Sequence, residues 1–192
     1  ETLVEMFDEA LDEAPGTDFY DDYRRISENI PFFELKSKLN WMAFKNYLCG
    51  PEFHKAMGRE VQEFLEGAEK MGANTLDTDK LIYGLQDDFH YKKSSSFLAL
   101  TMPEWLAEVA NCPESLRDDI RLLFQRIIGE FVYEGNEEPY YLFRHLYTKR
   151  LFKVRQASVE MKGIGPGELV FTSIVCWRGE WWVSGTLASY GN

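Results

Sequence analysis

Three histidines, His54, His90 and His145, are the side chains best suited to acid–base or metal chemistry, and each stands alone. None has a second His or Cys at metal-ligand spacing, and neither HExxH nor CxxC occurs. No metal or cofactor is expected. Asp87-Asp88-Phe89-His90 is the nearest approach to a cluster, and between less regular neighbours it reads as a polar loop. Cys176, mid-run between Val175 and Trp177, suits a small buried apolar group better than a nucleophile. Cys112, beside Pro113, has no base nearby in sequence, and no GxSxG elbow is present.

Gly163-Ile164-Gly165-Pro166-Gly167 resembles a phosphate loop in composition only. Phosphate loops lead from strand into helix, so that the helix N-terminus meets the anion, whereas here a strand follows. Its glycines and proline are those of a turn. Asp77-Thr78-Asp79 opens like a calcium loop but lacks the later ligands and the closing Glu. The pairs Asp8-Glu9, Asp12-Glu13 and Asp21-Asp22 read as solvated helix faces.

Aromatics offer more. Phe32, Phe33, Trp41, Phe44 and Tyr47 read mostly as core by their spacing. Tyr140, Tyr141, Tyr147, Trp182 and Tyr190 are the candidates for a pocket or interface, where amphipathic rings concentrate. His145 joins them by position. An alternative site would have His145, Asp88 and His90 converge between a sheet and helices.

The elements that must position these residues fall into two parts. Residues 1–149 read as helical and 150–190 as an antiparallel β-meander, together one α+β domain over residues 1–192. Helices are expected over 2–13, 18–28, 32–48 and 51–71, with Gly72 as a cap. Residues 76–100 show no winning period; 77–85 suits a helix and 87–93 a loop. Thr101-Met102-Pro103-Glu104 is a capping box that opens a helix to about Asn111. Leu116, Ile120, Leu123, Phe124, Ile127, Ile128 and Phe131 predict one long helix over 113–133, ended by Gly135-Asn136. A short helix is expected over 139–149.

The meander is expected as strands at 151–161, 168–177 and 181–188. Its middle strand is apolar on both faces, with Leu169, Phe171, Val175 and Trp177 on one and Val170, Ile174 and Cys176 on the other, so it should be central. In the first strand Phe152 and Val154 are out of phase with Ala157, Val159 and Met161; a bulge near Arg155-Gln156, or a helix persisting through Val154, would reconcile them. At the last turn, a two-residue Gly179-Glu180 loop competes with a three-residue loop that pairs Trp177 with Trp181. Side-chain matching favours the latter, with Trp182 on the opposite face beside Ser184 and Thr186. Helix-first, sheet-last order is similar to that of cone-shaped folds such as nuclear transport factor 2, which implies a curved sheet enclosing a pocket.

Composition narrows the function classes. Across 192 residues, 45% are hydrophobic and 15% aromatic, enough for a sizeable core. A formal net charge of −11 opposes nucleic acid and anionic lipid, so neither is an expected partner. The one dense basic stretch, Arg144, Lys149, Arg150, Lys153 and Arg155, reads as a solvated face. No apolar run is long enough to span a bilayer. Three widely separated cysteines fit a reducing, cytoplasmic setting. The chain opens on Glu1 and not Met, so the lack of a leader in it carries no weight. The expectation is a non-catalytic interaction or accessory domain with a protein partner; the alternative is a small-molecule binder or enzyme.

Overall fold

The Thr101 capping box marks a helix start that local chemistry decides. Thr101 N donates to Glu104 Oε2 at 2.8 Å, Glu104 N donates to Thr101 Oγ1 at 3.4 Å, and Pro103 sits in the first turn. The computed structural model describes residues 16–70 and 78–189. In chain order its helices are α1 Thr17–Arg24, α2 Phe32–Asn40 continued by a π-turn at Trp41–Lys45, and α3 Gly50–Lys70. There follow α4 Thr78–Tyr91, α5 Met102–Val109 and α6 Glu114–Arg121 with a 3-10 turn at Leu122–Phe124. The strands are β1 Ile127–Glu137, β2 Tyr140–His145, β3 Leu151–Arg155, β4 Leu169–Trp177 and β5 Glu180–Ser189. Helices thus fill the first two-thirds and a mostly antiparallel sheet the last third, an α+β architecture. The helix expected over 2–13, the Gly72 cap and Tyr190 lie outside the described residues.

Of two expected helices, one is strand in its second half and the other is strand instead. The helix that should run over 113–133 stops at Arg121, and Gln125 leaves helical geometry at φ −77°, ψ 41°. In the strand that follows, the buried positions are Phe131 and Tyr133, two apart, while Phe124 and Ile128 of the supposed stripe are exposed. The β-branched and aromatic run 127–133 contains Gly129, which weakens a helix, and pairing on both edges settles the matter. Gly135, expected as a stop, sits at a bulge in β1 with φ +125°, a conformation open to glycine. The helix over 139–149 is β2 instead, where Tyr140-Tyr141-Leu142-Phe143 suits a pleated surface. Helix gives way to strand at Ile127, well before residue 150.

The sheet is not a simple meander. It closes into a barrel in the order β1-β2-β3-β5-β4. Neighbours are antiparallel except β3 and β5, which run parallel at Val154↔Trp181. The side-by-side order β4-β1-β2-β3 is a Greek key. Strand β3 ends at Arg155, and the 3-10 turn Gln156–Ser158 accounts for the phase change that the sequence shows there. Inside, Phe131, Phe143, Phe152, Val154, Val170, Ile174 and Val183 fill the barrel. Packed side chains thus occupy the barrel interior, as in other small barrels.

Strand β4 lies between β1 and β5 and is apolar on both faces, as its sequence requires. Val170 and Ile174 point into the barrel, whereas Val175 and Trp177 join the helical core with Leu35, Leu39, Phe53, Phe89 and Leu106. Its hairpin to β5 follows neither expected register. Trp177 pairs with Glu180 across the two-residue loop Arg178-Gly179, whose φ values of 52° and 79° are those of a type I′ turn. The shift reverses the tryptophans. Trp182 now lies opposite Val175 and stacks on Phe32 with centroids 5.3 Å apart, while Trp181 meets Phe152 at 4.9 Å on the barrel side. Among the described residues no helix is long and apolar enough to cross a membrane.

Candidate functional site

Residues 87–93, expected as a loop, begin with the last turn of α4. Helical spacing there puts Asp87, His90 and Tyr91 on adjoining turns, buried between α2 and the outer wall of β4 and β5. Lys36 Nζ stands 2.9 Å from Asp87 Oδ1, and His90 Nδ1 3.3 Å from the same oxygen. His90 Nε2 reaches the side-chain amide of Asn40 at 3.0 Å. Arg126 Nε lies 3.9 Å from Asp87 Oδ2, and its Nη1 donates to Asp88 Oδ1. Tyr91 and Ser184 share a hydrogen bond of 3.0 Å, and Ser173 Oγ donates to the Ser184 carbonyl. Gly185, at φ +83°, lets the carboxylate approach: a Cβ there would sit 2.9 Å from Asp87 Oδ2.

Charge states follow from this packing. Burial would raise the Asp87 carboxyl, but the hydrogen bond from His90 and the Lys36 charge outweigh it and hold the group well below the usual carboxylate range. Burial lowers the His90 imidazole and the Lys36 and Arg126 charges push the same way, which together exceed the pull of Asp87. The ring is neutral, with one N–H. Given to Asp87, that proton leaves Nε2 to accept from the Asn40 amide, whose two ends exchange by a simple flip. The Tyr91 phenol, raised chiefly by burial, stays protonated. Asp87 orients His90 as a carboxylate orients a catalytic base, yet the outer nitrogen is spent on Asn40 and the ring is 2% exposed. The cluster therefore works as an anchor that ties α2 and α4 to the barrel.

Two clefts flank α2. The larger, about 380 Å³, is lined by Tyr20, Tyr23, Arg24, Trp41, Met42, Asn46, Tyr47, Leu48, Trp105 and Val109. Its floor is a nest of rings, with Trp41 4.7 Å from Tyr23 and 5.3 Å from Phe19 between centroids. The Tyr23 phenol donates to the Lys38 carbonyl and is raised by burial; Lys38 Nζ donates back to the Tyr23 carbonyl at 2.7 Å. Tyr47, expected in the core, is 75% exposed at the rim. The helix has ended by Asn46, so helical spacing no longer governs where residue 47 points. The smaller cleft, about 290 Å³, lies between α2 and α4 and is lined by Phe33, Lys36, Ser37, Asn40, Tyr83, Gln86 and His90.

Of the six residues singled out from the sequence, the five that are described are dispersed. Tyr140 and Trp182 come together: Tyr140 Oη donates to Glu180 Oε1 at 2.9 Å, and the Arg155 guanidinium sits 5.5 Å from the Tyr140 ring and 5.7 Å from that of Trp182. Tyr141 packs against the barrel interior, stacked with Phe143. His145 and Tyr147 belong to the far end of β2, where His145 Nδ1 accepts from Tyr147 N and Thr148 N, and the exposed Tyr147 donates to Glu130 at 2.8 Å. Of the alternative set, Arg126 joins Asp88 to the His90–Asp87 pair, while His145 packs edge-on against Phe131 of the barrel. Lys36, Arg126, Tyr20, Tyr23 and Trp105 were not indicated, and Asp87 was expected in a polar loop. The Asp-x-x-His-Tyr spacing, read as helix, would have shown Asp87 and His90 as a pair.

Other motifs resolve simply. Gly167 N donates to the Tyr133 carbonyl and Gly163 and Gly167 take positive φ, so the glycine-rich stretch is a turn leading into β4. The basic stretch is partly neutralised at the surface, Arg144 by Glu134 and Lys153 by Glu137. All three cysteines are free, and burial pushes the Cys49 and Cys176 thiols up, away from the nucleophilic form. Among the described residues no group of three His, Cys, Asp or Glu is placed to hold a metal ion. No protein-family model, curated protein or solved structure matches this chain.

Proposed function

We propose that this chain is a non-catalytic interaction domain that engages a protein partner through the aromatic cleft between α1, the π-turn after α2 and α5. The observation that carries this reading is the convergence of Tyr20, Tyr23, Trp41, Tyr47 and Trp105 on one open groove of about 380 Å³. Rings with a polar edge give large contact area at low conformational cost, which is why they dominate recognition surfaces. Catalysis is disfavoured because the best acid–base pair, Asp87 and His90, is buried, with the outer His90 nitrogen bonded to Asn40 and the carboxylate ion-paired with Lys36. The net charge of −11 favours a neutral or basic protein over nucleic acid. Free thiols at Cys49, Cys112 and Cys176 support a reducing, cytoplasmic setting.

Selection of displayed peptides on the wild-type domain, followed by affinity measurement on Tyr47→Ala, tests the reading. Tyr47 is so exposed that its loss leaves the fold intact, and selected peptides should bind the variant about tenfold more weakly, as for a modest hot spot. Peptides that bind both proteins equally would place recognition elsewhere.

A further inference from the structure

We propose that the cleft between α2 and α4 is a binding site for a small ring-bearing carboxylate, with the Lys36 ammonium as its counter-charge. The site shares no residue with the aromatic cleft and stands whether or not that cleft binds a protein. Lys36 is buried, its side chain only 8% exposed, and Nζ makes no directed hydrogen bond. Its charged neighbour Asp87 Oδ1 is an ion-pair partner at 2.9 Å but is poorly aligned for a hydrogen bond. That carboxylate is divided among three groups, since His90 and Arg126 also face it. Among the described residues two cations, Lys36 and Arg126, are buried against a single buried acid, Asp87. Asp88, which restores the balance, is about a third exposed and lies on the Arg126 side.

An ammonium has three N–H donors, and burying it with a shared, misaligned partner is costly. A carboxylate supplies acceptor lone pairs to the Lys36 ammonium, whose only acid, Asp87, is shared, since Asp88 is paired with Arg126. Its surroundings suit such a guest. Ser37, Asn40 and Gln86 offer polar groups along the lining, and the half-exposed rings of Phe33 and Tyr83 form apolar walls. The Tyr83 ring centroid is 4.9 Å from Nζ, so this ring covers the ammonium, and as a surface side chain it can rotate aside on a nanosecond scale. A volume of about 290 Å³ falls at the lower edge of ligand cavities, which limits the guest to roughly one ring.

Titration of the ¹⁵N-labelled protein with sodium benzoate, at constant ionic strength, decides the matter. The side-chain amide signals of Asn40 and Gln86 should move together and saturate in the millimolar range. Benzyl alcohol, the same ring without the charge, should bind at least about tenfold more weakly, and so should benzoate to Lys36→Met. Shifts that never saturate, equal binding of benzyl alcohol, or unchanged binding to Lys36→Met would each overturn the proposal. Should Lys36→Met fail to fold, the comparison of benzoate with benzyl alcohol on the wild-type protein decides alone.

Discussion

Asp87 is the only fully buried carboxylate among the described residues, and what surrounds it makes the protein acid-sensitive in a definite way. Neutral His90 is enclosed by Asp87 on its own helix, Lys36 and Asn40 on α2, and Arg126 ahead of β1. Because the folded-state imidazole lies below its ordinary value, the unfolded chain takes up a proton that the native state refuses. Stability is thus complete above about pH 6.5 and declines as pH falls below it, by up to about 1.4 kcal/mol per pH unit for one proton. Asp87, also depressed, adds a second loss that begins only below about pH 4. Urea denaturation at pH 7, 6 and 5 should show the midpoint falling for wild type and nearly flat for His90→Gln. Equal slopes in the two proteins would mean that His90 is charged when folded. The sequence pointed to Asp87-Asp88-Phe89-His90 but not to its partners, because Lys36 and Arg126 reach Asp87 from distant segments.

At the scale of elements, local chemistry succeeded where it was self-contained. Thr101 and Glu104 satisfy each other's backbone and so define the start of α5 whatever the rest of the chain does. Hydrogen bonds from Thr101 hold the Glu104 carboxyl below its usual range, so the cap weakens as pH falls below about 4.3. Thr101→Ala should cost about 1 kcal/mol in a denaturation experiment at pH 7, and less of that difference should survive at pH 3. Where two periods overlap, the sequence was ambiguous. Leu116, Ile120 and Leu123 are helical in spacing, and Ile127, Ile128 and Phe131 continue the pattern by coincidence while also fitting a strand. Partners β2 and β4 chose the strand. The last hairpin shows the same limit: the sequence suggests two registers and the structure takes a third, in which the Arg178-Gly179 turn with both φ values positive matches the twist of its strands.

For the whole molecule, β4 is the seam. Its inner residues belong to the barrel, while Val175 and Trp177 belong to the helical core, so the two halves share one buried strand. Val175→Ala should therefore destabilise by about 2 kcal/mol and lower the helical and barrel transitions together. Hydrogen exchange read on α5 and on β2 can check this; protection lost in one and kept in the other would show that the halves unfold separately.

The sequence by itself determined the α+β class, the capped start of α5 and the two-faced character of β4, since each depends on neighbours a few residues apart. Closure of the barrel, the reversal of Trp181 and Trp182, and the gathering of Lys36, Asp87, His90 and Arg126 were decided by tertiary structure alone. Those features join residues that are distant in the chain. Their energies arise from strand pairing and from burial of charge, and neither exists until the whole chain has folded.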